Sequence, residues 1–532
     1  MNRKLLIVGL DGVSWEELNL LINNAHLATL KKLVESGSHA TLLSTTPPVT
    51  GPAWSSFATG KNPGKHGVFD FILPRGSLND LKPVTSYDIK GRTFYEILES
   101  KGIKCVLVNM PVTYPTRIRG IVITSLMTVG DNFIFPETLL KEIPDLENYR
   151  IIPDTSLLGK GKLKEYIQDI RALENVRFKC AQKLFRKDWD FFFLLFSGTD
   201  WINHIMYKQL LEFAESDDIR ETIAFYREID EYIEWFLENI PPKTNILIVS
   251  DHGFRACDTV FFVNEWLRRK GYLNVVFKPV KKIPHHKFGR ELEKTGKYFT
   301  IPSLLSKLLF LITQILPLDI FYEVYSKIRK YLPFTPTLEV TPNFNETTAY
   351  STSSESRAIY LNVQSRFKGG NIKDSETYKT IRQNIIHELK RLKAPNGDPL
   401  FKAVLKREDV FEGSLLKNAP DIIMVPNRCM LASYFAPILF SEKVTLNDHD
   451  SKGIFIAYGP DVKKNIQVKD LRIIDVAPTI LHIFGMPIPS DMDGRATIEI
   501  LREESEITKR HIIYQETEKE RITKILRRLK QK

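Results

Sequence analysis

The chain has 532 residues, of which 43% are hydrophobic and 26% charged, and only four cysteines. Because Cys105, Cys180, Cys257 and Cys429 are widely separated, the sequence excludes a disulfide scaffold and a paired-cysteine zinc module. The net charge of +11 suits anionic substrates or surfaces, but it is too diffuse to indicate a nucleic-acid module.

The amino terminus predicts a buried strand and not an export signal. The apolar run in KLLIVGL ends at Asp11 without a small-residue cleavage site. No stretch reaches the roughly 18 consecutive apolar residues that cross a bilayer, since LLFLITQIL is closed by Pro317. We therefore expect a cytoplasmic protein without a transmembrane segment.

Short apolar, β-branched runs alternate with segments of helical periodicity through most of the chain. Runs such as FFFLLF and ILIV are typical of strands buried on both faces of a parallel sheet. The pattern predicts an α/β fold with a mostly parallel central sheet and helices on both faces. The predicted strands are 4–10, 104–109, 120–124, 190–197, 245–250, 422–425 and 454–458, and the clearest helices are 163–186 and 219–237.

We expect one catalytic α/β domain, formed by residues 1–267 and 345–501, with an inserted cap between its parts. Residues 268–344 break the alternation with a basic run and an apolar, helical pair of segments, which predicts a mainly helical cap. Residues 502–532 are densely charged and predict a helical tail, either solvated or in contact with an anionic surface or partner.

The cap has two interpretations. It could pack over the active site as a substrate-selecting lid. Alternatively, its apolar helices and basic side chains could rest on a membrane surface as a peripheral contact. These basic side chains are Lys307, Lys327, Arg329 and Lys330.

Three predicted strands are each followed within a few residues by an acid, namely Asp11, Asp200 and Asp251. Ligands of an open parallel sheet bind at the carboxyl ends of its strands, so these acids should meet at one edge. One such acid is more often a turn residue or a helix N-cap. Three in register form a cluster of like charges that a cation would neutralise, which favours a metal site.

Two histidines accompany these acids. His204 follows Asp200 by four residues, so the two side chains share one face of a helix, and His252 directly follows Asp251. Mixed carboxylate and imidazole ligands suit zinc, with manganese or iron as alternatives.

Thr50 lies in a loop bounded by prolines, just before a segment that could begin a helix. The amino terminus of a helix favours an anion such as phosphate. Spacing alone leaves two interpretations open: Thr50 is a nucleophile, or it caps the helix.

Several segments follow one another along the chain, namely GLDG, ATGKNPGKHG, SGTDWINH, SDHGF, NDHDSKGIFIAYGP and DVAPTILHIFGMPIPSDMDG. In this order, they resemble the alkaline phosphatase superfamily. They are most similar to its type I phosphodiesterase/nucleotide pyrophosphatase branch, and within it to a microbial group of predicted phosphohydrolases and phosphomutases.

The resemblance implies a metal-dependent phosphoric ester hydrolase with Thr50 as its nucleophile and two divalent metal ions, expected to be zinc. The residues matching the ligands of one ion are Asp11, Thr50, Asp251 and His252. Those matching the ligands of the other are Asp200, His204 and His449. His449 lies in a polar loop and could not be selected without the resemblance, whereas His66 has no ligand role in the family and is expected to be structural.

The chain departs from this branch in one respect. No asparagine follows Thr50 closely to bind a phosphate oxygen, and Ala53 lies three residues on. Lys61 and Asn109 are candidates for that role, with a purely structural role as the alternative. The preference for phosphate diesters or monoesters is therefore open.

Phosphotransferase or phosphomutase activity and a non-catalytic phosphate-binding module are alternative functions. A sulfatase is disfavoured because no Cys-x-Pro-x-Arg sequence occurs.

Overall fold

The computed structural model describes residues 3–130, 132–213, 215–279, 338–436, 438–442, 444, 446–517 and 522. The strands, numbered β1 to β25 in chain order, are Lys4–Leu10, Ser38–Leu43, Ile72–Pro74, Leu81–Pro83, Cys105–Met110, Ile121–Thr124, Ile134–Phe135, Phe191–Phe196, Thr244–Val249, Gly253–Arg255, Thr259–Phe262, Val275–Pro279, Leu338–Pro342, Ala349–Tyr350, Ala358–Leu361, Phe401–Lys406, Ile422–Pro426, Cys429–Ala432, Phe440–Ser441, Asp448–Asp450, Lys452–Tyr458, Ile466–Gln467, Leu471–Arg472, Ile488–Pro489 and Tyr514–Gln515. The α-helices, numbered α1 to α14, are Trp15–Asn23, Ala28–Ser36, Thr50–Thr59, Pro63–His66, Phe94–Glu99, Leu139–Glu142, Ser156–Gly159, Leu163–Phe185, Gly198–Leu211, Asp217–Asn239, Val263–Arg269, Ser375–Lys390, Val476–Ile483 and Glu506–Lys509.

The central sheet has ten strands in the order β22-β2-β21-β9-β1-β8-β5-β6-β7, with β23 also paired to β2. Its middle strands, β9, β1, β8, β5 and β6, are parallel to one another. The antiparallel pairs lie outside them, at β21 with β9, β21 with β2, and β6 with β7. The predicted α/β fold with a mostly parallel sheet is therefore confirmed.

Helices cover both faces of this sheet. Successive side chains of β1 point to opposite sides, so this strand contributes to a core on each face. Leu6 and Val8 belong to a core that includes helices α8 and α10. Leu5 and Ile7 belong to the core on the other face, which includes helices α3 and α13. Burial on both faces explains why β1 and β8 are almost uninterrupted apolar runs.

One predicted strand lies outside the central sheet. The run at 422–425 forms β17, so the strand is confirmed, and it belongs to a separate four-stranded sheet of order β14-β15-β17-β16 whose pairs are antiparallel. An apolar run indicates that a strand is buried, and it carries no information about the partner strand. The sheet that contains this strand could not be predicted for that reason.

The expected cap lies mostly outside the described residues. Strands β12 and β13 pair antiparallel on either side of residues 280–337. The lid and membrane interpretations, with Lys307, Lys327, Arg329 and Lys330, both concern residues outside the described ones. Every helix among the described residues is too short or too polar to cross a bilayer.

The start of the expected charged tail differs from a continuous helix. Residues 502–517 contain the four-residue helix α14 and the strand β25, which pairs with β24. Ile507 in α14 is fully buried in the core that includes α3 and α13. This part of the tail is therefore packed into the core on one face of the central sheet.

Candidate active site

Three adjacent strands deliver the predicted acids to one edge of the sheet. Strand β1 lies between β8 and β9, with Leu10 opposite Phe196 and Gly9 opposite Val249. The chain leaves these strands at Asp11, at the start of helix α9, and at Asp251. The fold therefore brings together residues that are up to 240 positions apart in the sequence, as the strand-end argument predicts.

His252 lies at the centre of the acids. Its Nε2 is 3.6 Å from Asp11 Oδ1, 3.5 Å from Asp251 Oδ2 and 4.0 Å from Asp200 Oδ1. These three carboxylate oxygens are buried and have no hydrogen-bond partner among the residues that the structure describes. Buried carboxylate oxygens without partners are costly, so their convergence on one imidazole nitrogen marks a place for a cation.

Asp200 joins this group to a second one. Asp200 Oδ1 lies 3.3 Å from His449 Nε2 and 3.6 Å from His204 Nε2, and the two Nε2 atoms are 3.0 Å apart. The rings of His252 and His449 stack with centroids 3.8 Å apart. Donor atoms of Asp11, Asp251 and His252 lie within 4.8 Å of one another, as do those of Asp200, His252 and His449.

The three histidines are oriented in the same way. Each places its Nδ1 against a backbone carbonyl: His204 at 3.1 Å from Asn447 O, His252 at 3.1 Å from Gly253 O, and His449 at 3.0 Å from Pro48 O. A carbonyl only accepts, so Nδ1 carries a proton, and the Nε2 of each ring faces the cluster. Metal-binding histidines are commonly fixed by such a bond at the other ring nitrogen.

The acids respond differently to this environment. Burial, followed by the charges of Asp251 and Asp200, raises the pKa of Asp11 well above its ordinary value. Burial also raises the pKa of Asp251, to about 7. Burial of Asp200 acts in the same direction, but His204 and His449 outweigh it and leave its pKa below the ordinary value. A bound cation would relieve the cost of ionising Asp11 and Asp251.

The imidazole groups are affected as well. Burial, with a further contribution from His449, lowers the pKa of His252 well below its ordinary value. Burial would also lower the pKa of His449, but its contact with Asp200 outweighs burial and raises it. A neutral His252 has its Nε2 lone pair free to bind a cation.

Thr50 lies beside His252, at the amino terminus of helix α3. Its side chain is buried, and Oγ1 is 3.2 Å from His252 Nε2. Thr50 is the first helical residue and Val49 is the N-cap, so the Thr50 side chain does not cap the helix. The N–H groups of Thr50 and Gly51 have no acceptor within the helix, and Pro52 has no N–H.

The two candidate phosphate-binding residues have partners outside the seven predicted metal-site residues. Lys61 is buried and pairs with Asp491. Asn109 is fully buried and donates from Nδ2 to Leu195 O at 3.0 Å and to Ser197 Oγ at 2.9 Å. Neither donates a hydrogen bond to any of the seven residues predicted at the metal site. Their role in phosphate binding stays a prediction.

His66 has the surroundings of a structural residue. It is fully buried, and its ring bonds to Ser56 Oγ at 2.9 Å and to Val68 N at 3.2 Å. Burial lowers its pKa to about 3, so the ring is neutral.

Several further polar residues make contacts between segments near the cluster. Asp448, beside His449, forms ion pairs with Arg255 at 2.7 Å and Arg357 at 2.5 Å. Asp70 is buried, and its Oδ2 accepts a 2.5 Å hydrogen bond from Ser353 Oγ. The backbone oxygen of Asp70 lies 3.8 Å from the position that a Cβ on Gly51 would occupy. These contacts join segments far apart in the chain.

Asn203 and Asn447 escaped the sequence analysis. Each stands one or two residues from a predicted ligand and looks like an ordinary polar residue of a helix or loop. Both are buried, and both make hydrogen bonds between the segments that carry ligands.

Comparisons with known proteins identify the family of this chain. The family model of type I phosphodiesterase/nucleotide pyrophosphatase matches residues 5–434. Among solved structures, phosphonoacetate hydrolase from Sinorhizobium meliloti 1021 in complex with phosphonoacetate matches with a TM-score of 0.52 and 14% identity, over 90% of this chain and 94% of that chain. Its complex with phosphonoformate gives 0.50 and 16%, with the same coverage.

Murine ectonucleotide pyrophosphatase/phosphodiesterase 5 matches with a TM-score of 0.49 and 12% identity, over 94% of this chain and 100% of that chain. Comparison with curated protein sequences finds no match. The family model spans most of the chain, and the central sheet has the expected architecture. The chain therefore belongs to the type I phosphodiesterase/nucleotide pyrophosphatase family of the alkaline phosphatase superfamily, and it is a hydrolase acting on phosphoric ester bonds.

Proposed function

We propose that this enzyme hydrolyses phosphate diesters with Thr50 as its nucleophile and two divalent metal ions as its cofactors. The observation that carries the proposal is the common orientation of His204, His252 and His449, whose Nε2 atoms face carboxylate oxygens. Two Nε2 atoms 3.0 Å apart also face each other beside carboxylate oxygens that lack a hydrogen-bond partner among the described residues, and a bound cation would supply positive charge there.

The donor set fits two ions of the zinc type. Asp11, Asp251 and His252, together with the Thr50 hydroxyl, would hold one ion. Asp200, His204 and His449 would hold the other. Nitrogen and oxygen donors in sets of three or four suit zinc, and manganese or iron could also occupy such sites. When bound, the ions would stabilise negative charge on the attacking and leaving oxygens of an in-line displacement.

Thr50 would supply the nucleophilic oxygen. In the proposed reaction, Thr50 Oγ loses its proton and attacks phosphorus, and the bond to one ester oxygen breaks, so that this alcohol leaves with a proton. The intermediate keeps the second ester group on the threonine-linked phosphorus. Water then cleaves the bond between Thr50 Oγ and phosphorus, which restores the hydroxyl and releases a phosphate monoester. The N–H groups of Thr50 and Gly51 are available to a phosphoryl oxygen at the amino terminus of α3. Burial of Thr50 would limit competing reactions with bulk water.

Substitution of Thr50 tests the nucleophile. We expect Thr50→Ala to lower the rate on bis-p-nitrophenyl phosphate by at least about 10³-fold, because the group that forms the covalent intermediate is gone. Thr50→Ser keeps a hydroxyl and should retain measurable turnover. Acid-quenched wild type should carry a phosphoryl group on the peptide containing Thr50.

Elemental analysis provides the control. Thr50→Ala should keep its metal, because the carboxylate and imidazole ligands remain. A Thr50→Ala enzyme that retains metal and still turns over at the wild-type rate would overturn the nucleophile assignment. Rates on p-nitrophenyl phosphate, measured in parallel, would show whether monoesters are the better substrates.

A further inference from the structure

We propose that Asn203 is a positioning residue that holds the two sets of metal ligands at a fixed separation. The inference rests on the proposed two-metal function. Asn203 lies on α9, between Asp200 and His204, and is fully buried. Its side chain joins the turn after β1 to the helix that carries these ligands.

The side-chain amide of Asn203 is fully used. Nδ2 donates to Gly12 O at 3.1 Å and to Glu17 Oε1 at 2.6 Å, and Oδ1 accepts from the Tyr226 hydroxyl at 2.9 Å. Exchanging oxygen and nitrogen would set oxygen against both Gly12 O and Glu17, so the amide has one favourable orientation. Gly12 directly follows Asp11, and this bond therefore ties the first ligand set to α9.

Glu17 anchors this amide on the other side. The Glu17 carboxyl is fully buried and accepts from Ser14 Oγ at 2.9 Å. Its Oε1 lies 3.2 Å from the oxygen of the Tyr226 hydroxyl, whose single proton is donated over the shorter distance to Asn203 Oδ1. Two neighbouring elements, α1 and α10, thus fix the position of Asn203. A buried network in which every member is satisfied is rigid.

The backbone next to Asn203 is tied to the third ligand-bearing segment. Asn447 Nδ2 donates to Asn203 O at 3.1 Å, and Asn447 N donates to His204 O at 2.6 Å. Asn447 O accepts from His204 Nδ1, and His449 lies two residues further on. These hydrogen bonds connect the Asp11–Gly12 turn, α9 and the segment 447–449 to one another.

The structural consequence concerns both metal ions together. One ion can still be held by a single ligand set when Asn203 is replaced. The two sets would no longer be held at a matching distance, so binding of the second ion should weaken. Loss of hydrogen bonds that orient metal ligands typically costs about 10- to 100-fold in metal affinity.

The experiment compares two asparagine–tyrosine pairs. Asn175 on α8 donates to the hydroxyl of Tyr232 on α10 at 2.9 Å, whereas Asn203 accepts from the hydroxyl of Tyr226, and Asn175 makes no hydrogen bond to a ligand-bearing segment among the described residues. In the full chain stripped of metal, Zn²⁺ binding is titrated against a chelator of known affinity. We expect Asn203→Ala to raise the second Kd at least about tenfold. Asn175→Ala should change it less than twofold.

Tyr226→Phe provides a second, milder variant in case Asn203→Ala does not fold. It removes only the hydroxyl that orients Asn203, and we expect the second Kd to rise at least threefold, whereas Tyr232→Phe should bind as wild type. A merely structural role would lower the free energy of unfolding of the metal-free protein without changing Kd. Wild-type Kd values in Asn203→Ala, or in Tyr226→Phe if only that variant folds, would overturn the inference. Failure of the wild-type chain to bind two ions would instead overturn the proposed function.

Discussion

At the scale of single residues, the site depends on where each proton resides. Three carbonyl oxygens, from Pro48, Gly253 and Asn447, fix the protons of three imidazoles on Nδ1. This arrangement cannot be predicted from sequence, because the three carbonyls belong to segments far from most of their partners. The ligands at strand ends could be predicted, since the order strand–acid is local. His449 was found only through the resemblance to the family.

Asp70 makes the stability of the protein depend on pH. Burial raises its pKa from 3.8 to about 7, so the folded protein holds a proton there that the unfolded chain has released. Stability from this group is complete below about pH 4 and is lost as pH rises through 7. The shift of about three units corresponds to at most about 4 kcal/mol.

We expect Asp70→Asn to remove this dependence. Urea unfolding in chelator, between pH 5 and pH 8, should show that the variant gains about 1–4 kcal/mol relative to wild type as pH rises. The exposed Asp398→Asn serves as the control and should run parallel to wild type. A wild type and an Asp70→Asn variant with parallel pH profiles would contradict this account of Asp70.

At the scale of secondary-structure elements, the turn after β1 has a backbone that only glycine adopts readily. Gly12 has φ 67°, and a Cβ there would lie 2.5 Å from Phe254 Cε2 and 3.1 Å from Asp200 Oδ1. The sequence showed this turn as Asp-Gly after an apolar run, which is why it could be placed. The partner of a buried strand depends on residues far away in the sequence. For this reason the strand at 422–425 could be predicted, but the sheet that contains it could not.

Gly12→Ala and Gly76→Ala separate backbone strain from crowding. Gly76 has φ 78° but nothing within 4 Å of an added Cβ. We expect Gly76→Ala to cost about 1–2 kcal/mol of unfolding free energy, from the left-handed backbone alone. Gly12→Ala should cost more and also weaken zinc binding, because the displaced turn carries Asp11. Equal costs in the two variants, with unchanged zinc affinity, would contradict the crowding seen at Gly12.

At the scale of the whole molecule, the site is closed by parts of the chain that are remote in sequence. Residues 345–361 reach the cluster through Arg357, which donates to Asp448 and to the backbone oxygen of His449. Residues 491–493 hold the loop after α3 and helix α4 through ion pairs with Lys61 and Lys65. The sequence predicted one domain from the convergence of ligands. It could not show that residues 502–517 pack onto that domain, because their charge suggests a solvated tail.

Ile507 tests this packing. Its side chain is fully buried, whereas Ile513, six residues later, is 57% exposed. We expect Ile507→Ala to lower the free energy of unfolding by about 2–5 kcal/mol. Ile513→Ala should change it by less than about 0.5 kcal/mol. Equal effects in urea unfolding would show that the segment 502–517 does not contribute to the core.

Hydrolysis that requires two metal ions is tested most directly by titrating the metal-stripped full chain with Zn²⁺ and measuring hydrolysis of bis-p-nitrophenyl phosphate. We expect no turnover in chelator, and a rate that reaches a plateau at two equivalents of zinc. Asp251→Asn and His449→Ala, which remove one ligand from each set, should not reach that plateau. Turnover by the stripped wild type in chelator at the rate of the reconstituted enzyme would contradict this requirement.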